Sequence, residues 1–433
     1  MSKLVILEQQ ASPDPPAKEP DLIAHTPSPP KPALARRLNL PLLVLYGLGV
    51  TVGAGIYVLI GEIAGRAGMF TPYAFLFAGL IIAPTTYSFS KLVARFPVSA
   101  GEARYVEEGF QLRPLGILVG LLVASAGIVS SATISVGSVG YVQSFVPLPA
   151  AILVSFFIVS FTGLAILGIK ESVIFASVIT IIEVGALLVL IGGGFWIAPQ
   201  TLLDGITAPL FQLDFHALGL VASASALAFY AFIGFEDMVN VAEEVKAPER
   251  TFPPAILITL IVTLVLYFLI GTVAVTLIGA ENLSASATPI SVIGERIGFL
   301  SPQILSLIAA VSALNGILIQ MIMSSRVLFG LARQSELPAI LSYVHPRRHT
   351  PIVATLVVAA ITLTLALAFP LSGLAEATSR ITFVIFSLVN TALVLLTLRE
   401  AGWLVSQVEN KLLLLIPTLG GFGSVALLIV SLL

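Results

Sequence analysis

The sequence predicts an all-α membrane protein of about eleven transmembrane helices, built on a five-plus-five inverted repeat in which helices 1 and 6 are broken. Three observations predict it. The chain of 433 residues is 57% hydrophobic but only 10% charged, against about 25% charged in soluble domains, so it lacks the polar surface of a water-facing body. Its apolar residues fall in long continuous runs rather than in alternation, which selects helices over a strand barrel. Finally, two of these runs, five apart in order, carry interruptions near their middles.

The N-terminal segment stands apart. Residues 1–40 include "ASPDPPAKEPDLIAHTPSPPKPALARR", rich in proline and polar groups. Such a stretch buries too little apolar area to offset its ordering entropy, so a disordered cytoplasmic tail is expected. It has no continuous apolar core of the kind found in a cleavable signal peptide.

A spanning helix needs about 20 mostly apolar residues. Candidates follow at 41–65, 69–91, 114–142, 148–169, 173–198, 216–242, 253–280, 302–332, 351–370, 374–398 and 411–433. The expected organisation is a first five-helix repeat at 41–198, a second, inverted one at 216–398, and an additional C-terminal helix at 399–433.

Lysine and arginine set the direction of insertion. Five lie in the tail, Lys91, Arg95, Arg104 and Arg113 follow segment 2, Lys170 follows segment 4, Lys246 and Arg250 follow segment 6, and Arg333, Arg347 and Arg348 follow segment 8. The opposite loops hold only Arg66, Arg296 and Arg380. This predicts a multi-pass protein of a cell membrane (bacterial inner or plasma membrane) with a cytoplasmic N-terminus. An odd number of crossings would place Leu433 outside.

Composition also excludes function classes. A net charge of −2 without a basic patch gives no basis for nucleic-acid binding, and a chain without cysteine has no disulfide or thiolate chemistry. His25, His216, His345 and His349 lie outside the apolar runs with no metal spacing between them. No nucleophile, base and metal constellation marks an enzyme, and no cofactor or metal site is expected.

The interruptions carry the functional argument. In "YGLGVTVGAGIYVLIG" (Tyr46 to Gly61), Gly53-Ala54-Gly55 falls near the middle of segment 1; in "FYAFIGFEDMVN" (Phe229 to Asn240), Gly234 precedes Glu236 and Asp237. Close packing is one reading of the glycines, since Gly49 and Gly53, like Gly61 and Gly65, make small-xxx-small pairs. A helix end reaching water is one reading of Glu236 and Asp237. Matched breaks in two half-sequences of opposite topology favour a binding site at the bilayer midplane. An unwound Gly53-Ala54-Gly55 would present N–H groups to a carboxylate. Freed carbonyls of both first half-helices suit an ammonium group, so an α-amino acid is the expected substrate. Tyr230, Phe232 and Phe235 are placed to cover it, or to pack against the core.

At these residues the chain resembles the amino acid–polyamine–organocation family of permeases. "VGAGIYVLIGEIAGRAG", "LVARFPVSAGEARYVEEGF", "FYAFIGFEDMVNVAEEVKAPERTFPPAI" and "SSRVLFGLARQSELPAILSYVHPRRHTPIVA" occur in the family's order and cover 41 to about 398. The resemblance implies the leucine-transporter fold and alternating access around a central site. By motif position, Gly53, Ala54, Gly55 and Ile56 would hold the substrate carboxylate, Tyr230 would be an aromatic gate, and Ala231, Phe232 and Gly234 would supply carbonyls. The chain departs from the family in having eleven rather than twelve expected helices. It departs also at Glu183, about where some proton-coupled relatives have a lysine acting as a built-in cation; an acid there argues against that particular mechanism.

Charges in the apolar runs are costly and face the bundle. Glu183 and Glu236 are the candidate proton carriers, with a structural hydrogen bond as the alternative for each. Glu62 and Arg66 have i,i+4 spacing for an ion pair, and Arg326 is expected to snorkel or pair with a loop acid. Sodium coupling in this fold needs hydroxyls on segment 8; counting places the level near Gln320-Met321-Ile322, which offers none. The expected function is secondary transport of an amino acid by alternating access, coupled to protons and embedded in lipid. Amino acid exchange, amine or polyamine transport, and a non-transporting nutrient receptor are the alternatives.

Overall fold

The computed structural model describes residues 38–98, 101–167, 173–212, 214–333, 336–346, 348, 350–407 and 410–432. The tail expectation falls almost wholly on 1–37, outside the described residues, as do His25, His349, Lys170 and Arg347.

In order, the chain forms α1 (Leu40–Ala67), α2 (Thr71–Arg95), α3 (Gly101–Phe110), α4 (Arg113–Gln143), α5 (Ala150–Leu167), α6 (Val173–Ile197), α7 (Pro199–Thr207) and α8 (Phe215–Ala228). Two 3₁₀ stretches follow, Phe229–Phe232 and Glu236–Glu244. Then come α9 (Pro248–Leu277), α10 (Ala280–Ser284), α11 (Pro289–Ile297), α12 (Pro302–Arg333), α13 (Ile352–Ala368), α14 (Leu371–Glu400) and α15 (Leu412–Val430). Among the described residues the one extended pairing is an isolated bridge between Leu38 and Val245.

Nine stretches of the described residues are helical, long and apolar enough to cross a bilayer; the first, Leu40–Arg95, takes in both α1 and α2, and α13 is a shorter apolar helix. Every apolar run read from the sequence therefore has a helix, because a backbone in lipid must pair its own polar groups. The short helices α3, α7, α10 and α11 fall between the runs and escape a count based on apolar length.

Local chemistry sets the ends. Asn39 caps α1 by accepting from the Leu42 N–H at 3.2 Å, and Asp214 caps α8 by accepting from Ala217 at 2.7 Å. Hydroxyls inside α4 return to their own helix, Ser131 donating to the Gly127 carbonyl at 2.8 Å and Thr133 to Val129 at 2.9 Å. Each thereby finds an acceptor within its own helix in an apolar bundle. The amphipathic α3 is fixed at its C-terminus by Arg399, which donates to the carbonyls of Glu108 and Gly109 at 3.1 and 2.8 Å.

The breaks differ in severity. α1 is two helical segments joined across a kink, at which only Gly53 leaves helical geometry, with φ −47° and ψ −109°. The expected unwinding of Gly53-Ala54-Gly55 is thus a kink at one residue, which leaves fewer backbone groups unpaired in the low-dielectric interior. Segment 6 is fully broken. After the first 3₁₀ stretch Ile233 is extended (φ −61°, ψ 132°) and Gly234 has φ 131°, a region that favours glycine. The chain then resumes as 3₁₀ rather than α-helix.

Candidate functional site

The two interruptions touch. A Cβ built on Gly55 would lie 2.6 Å from the Ala231 Cα, and one on Gly234 would lie 2.9 Å from the Val50 carbonyl carbon. Only glycine admits this approach of α1 to the broken segment. Glu236 fixes the bend, its Oε2 accepting from the Gly234 N–H at 2.8 Å. From α9, Tyr267 shares its one hydroxyl proton between the carbonyls of Thr51 (2.8 Å) and Ala231 (2.7 Å). Thr51 precedes the α1 kink and Ala231 precedes the Gly234 bend, so a single side chain ties both breaks.

At their junction is a small cavity, with about 30 Å³ open to water centres, bounded by Gly53 and Gly55 of α1, Ser130 of α4, Tyr230, and Ser312 and Gln320 of α12. That is room for one or two waters rather than for an amino acid. Tyr230 forms one wall, its hydroxyl 3.0 Å from the Ser130 hydroxyl.

Below it, towards α3, a second small cavity shares Ser130, Ile233 and Gln320 with the first and collects three carboxyl groups, Glu102, Glu236 and Asp237. Gln320 donates to Asp237 at 2.9 Å, while Glu102 Oε2 is buried without a hydrogen-bond partner. Among the described residues no lysine, arginine or histidine lines this chamber. Glu102 lies on α3, outside the spanning helices; burial, with Asp237 adding to it, pushes its pKa up to about 8.

Glu183 points from α6 at the kink. An ideal Cβ on Gly53 would lie 3.9 Å from Glu183 Oε2 and 3.4 Å from Ser312 Oγ, and both oxygens are buried without a hydrogen-bond partner among the described residues. These two neighbouring oxygens beside a kinked backbone form a polar pocket in an apolar bundle.

The sequence-derived residues therefore divide. Gly53, Gly55 and Tyr230 line the cavity, while Ala231 and Gly234 build the contact behind it. Ile56 is fully buried and does not line the cavity. Phe232 packs edge-on against Tyr267 at 5.1 Å, and Phe235 packs against Phe89 and Phe386 at 5.6 and 5.5 Å, so both belong to the core rather than the cover. The α12 hydroxyl nearest the kink is Ser312, about two turns before the place counted from sequence. Arg66 pairs with Glu376 of α14 at 2.5 Å instead of with Glu62, and Arg326 is exposed. Tyr267, Ser130, Ser312 and Glu102 went unread, and Gln320 was read only as marking the level of a sodium site. For Tyr267, Ser130 and Ser312 the available signal was a hydroxyl inside an apolar run, which must find a partner; Glu102, on the short α3 between the runs, offered no such signal.

The fold and the paired breaks define the class: a multi-pass membrane protein of the leucine-transporter fold. Its likeness to the solved structure of MhsT in complex with L-phenylalanine has a TM-score of 0.63 and covers 92% of this chain and 99% of that one, at 16% identity. The particular family follows from sequence. The amino acid permease profile matches residues 38–433, and the chain belongs to that family, within the amino acid–polyamine–organocation superfamily. It is 30% identical over 386 residues to cationic amino acid transporter 3, mitochondrial, of Arabidopsis thaliana, covering 84% of this chain and 62% of that protein. It is 29% identical over 407 residues to the branched-chain amino acid permease BcaP of Bacillus subtilis, covering 88% and 84%. The chain spans about three fifths of the length of the plant relatives it matches.

Proposed function

We propose that the protein is a secondary transporter that moves an amino acid across a cell membrane by alternating access, with protons as the coupling ion. The observation that carries this reading is the junction of two interrupted helices at one enclosed cavity, with glycine at each point of contact. In this reading 41–198 and 216–398 are the inverted repeats, 399–433 is an added helix, and the N-terminus is cytoplasmic. Gly53, Ala54, Gly55 and Ile56 offer the α1 backbone to the carboxylate. Carbonyls of Ala231, Phe232 and Gly234 face the ammonium group, and Tyr230 closes over it. The cavity enlarges when the two halves rock apart.

The acidic chamber supports a narrower reading of the substrate. A chamber that collects three carboxyl groups beside this junction favours a basic side chain, whose approach would draw off their protons, over a branched aliphatic one. Glu183 stands at the kink as the proton carrier, and Glu236, which pins Gly234, is the second candidate. Purified protein in liposomes tests this directly. Uptake of lysine or arginine in preference to leucine, driven by an inward proton gradient and lost on decarboxylating the substrate, is the expected result. Retained competition by the decarboxylated amine would favour an amine transporter, and uptake indifferent to the gradient but dependent on internal substrate would favour exchange. Binding without uptake would sink transport altogether.

A further inference from the structure

Asn390, in the second half of α14, is fully buried and takes no part in this scheme. Its amide works between helices. Oδ1 accepts from the Ser88 hydroxyl at 2.6 Å, and Nδ2 donates to Thr85 Oγ1 at 2.9 Å and to the Phe386 carbonyl at 2.8 Å. Ser88 and Thr85 lie on α2 beside Pro84, where that helix lacks a ladder hydrogen bond. From the other side α15 comes in through glycine. A Cβ on Gly420 would lie 2.7 Å from Asn390 Oδ1, and one on Gly423 would lie 2.8 Å from Ile81 Cγ2 of α2. An amide in hydrocarbon is costly unless it is hydrogen-bonded. This one finds its partners on α2, and α15 closes over it.

Other ties of α14 run to the same side. Near its start, Glu376 pairs with Arg66 at the end of α1 at 2.5 Å. Arg380 joins Glu376 at 3.2 Å and also donates to the Ser431 carbonyl just past α15. At its end, Glu400 pairs with Arg95 of α2 at 2.6 Å. Partly exposed ion pairs are weak and screened by salt, so the buried amide between them sets the register. Rings follow the same pattern: Phe386 packs on Phe89 of α2 at 5.4 Å, and Phe383 packs on Phe229, ahead of the Gly234 bend, at 4.3 Å. One and two turns before Asn390, Phe386 and Thr382 line the acidic chamber. α4, which also packs along α14, is keyed closely to α12, where a Cβ on Gly127 would lie 2.3 Å from Ser324 Oγ.

We propose that Asn390 is a positioning residue that keys α14 to α2, so that the chamber wall on α14, and α15 with it, travels with the interrupted helices when the halves rock apart. The proposal rests on the alternating-access reading above. It adds that Asn390 acts on substrate through Phe386 and Thr382, which it holds in place, and that the boundary of motion runs between α14 and α4.

The chain holds no cysteine, so Ser88→Cys/Asn390→Cys carries two thiols and no others, at a contact of 2.6 Å in the wild type. Uptake of lysine, or of leucine should lysine not be carried, is measured in proteoliposomes before and after oxidation of the pair. Residual thiol gives the extent of bridging. Reduced, the pair lacks the amide, and kcat per folded transporter should fall about 3- to 10-fold, the factor that corresponds to two interhelical hydrogen bonds in a membrane. Asn390→Leu, close in volume, should show the same fall, with KM changed by less than about 2-fold. Bridging should bring kcat back to within about 2-fold of wild type. The same side chains are present before and after oxidation, so recovery separates a tie from mere packing. Uptake stopped by bridging, in a protein whose wild type transports, would show that α2 and α14 must part during the cycle and would overturn the proposal. So would an Asn390→Leu protein with wild-type kcat, or thiols that cannot be bridged. Wild-type protein that takes up neither amino acid would remove the transport reading, and the proposal would fall with it.

Discussion

Gly55 rests on the backbone of Ala231, with no room for a methyl group between them. The atoms in the way are the Ala231 Cα and carbonyl oxygen rather than a flexible side-chain end, so neither element can give way without moving its helix. Gly55→Ala should therefore destabilise the protein by about 1–3 kcal/mol, the usual cost of overpacking, and Gly55→Leu should abolish uptake in protein that still inserts. For stability, Gly53→Ala is the control in the same kink: its nearest neighbours, Ser312 Oγ at 3.4 Å and Glu183 Oε2 at 3.9 Å, leave a methyl group room, while its place on the cavity wall means that uptake should still fall. Thermal melts of detergent-purified variants beside uptake assays check both. A Gly55→Ala protein as stable and active as wild type would mean that the contact is dispensable.

Tyr267 should matter out of proportion to its distance from any substrate. Its hydroxyl serves carbonyls on both interruptions, and Phe at this position leaves the ring and its stacking on Phe232 in place. Tyr267→Phe should cost about 1–3 kcal/mol, the penalty for leaving buried acceptors unpaired. Because the breaks are loosened rather than filled, KM should rise more than kcat falls. A variant with unchanged stability and KM would assign Tyr267 to packing alone.

Glu183→Gln keeps the shape of the side chain and removes its ability to carry a proton. Uptake should lose its pH dependence and its response to an imposed proton gradient, while exchange of internal for external substrate continues. An unchanged pH profile would reduce Glu183 to a structural group beside Ser312.

Much of this was legible because lipid restricts the choices. With no water to satisfy a backbone, the apolar runs had to be helices, and the runs from Leu40 to Val430 are. The location of the breaks was legible for the same reason, since a flexible Gly-Ala-Gly or Gly-Phe-Glu stretch is costly in a membrane unless it is used. Their extent was not. Whether the Gly53 region unwinds or kinks depends on what packs behind it, namely Tyr267 and Ala231, which are 216 and 180 positions away from Thr51. The facing of side chains was also hidden. Ser312 rather than Gln320 meets the kink, and Phe232 and Phe235 turn to the core, because the relative rotation of neighbouring helices is set by their joint packing and not by either sequence alone. Glu62 and Arg66 had the spacing for a pair, yet Arg66 found Glu376 on another helix, a partner that no local rule reveals.

The buried Glu102 gives a pH prediction whose sign follows from its environment. Its pKa is raised from an ordinary value near 4.5 to about 8, chiefly by burial and further by the charge of Asp237. The folded protein therefore holds this proton over a range in which the unfolded chain has lost it. The contribution is fully present below about pH 4.5 and declines as pH climbs towards 8. Wild-type protein should accordingly lose thermal stability from pH 5 to pH 8. Glu102→Gln, which cannot ionise, should flatten that slope and be the more stable of the two at pH 8. Melting temperatures of both proteins across this range in one detergent check it. The Asp237→Asn variant separates the two causes: with the neighbouring charge gone, the wild-type slope should shrink but persist, because desolvation of Glu102 remains. Parallel slopes for wild type and Glu102→Gln would show that Glu102 does not titrate in this window and that the stability of the acidic chamber is governed by its other carboxyl groups.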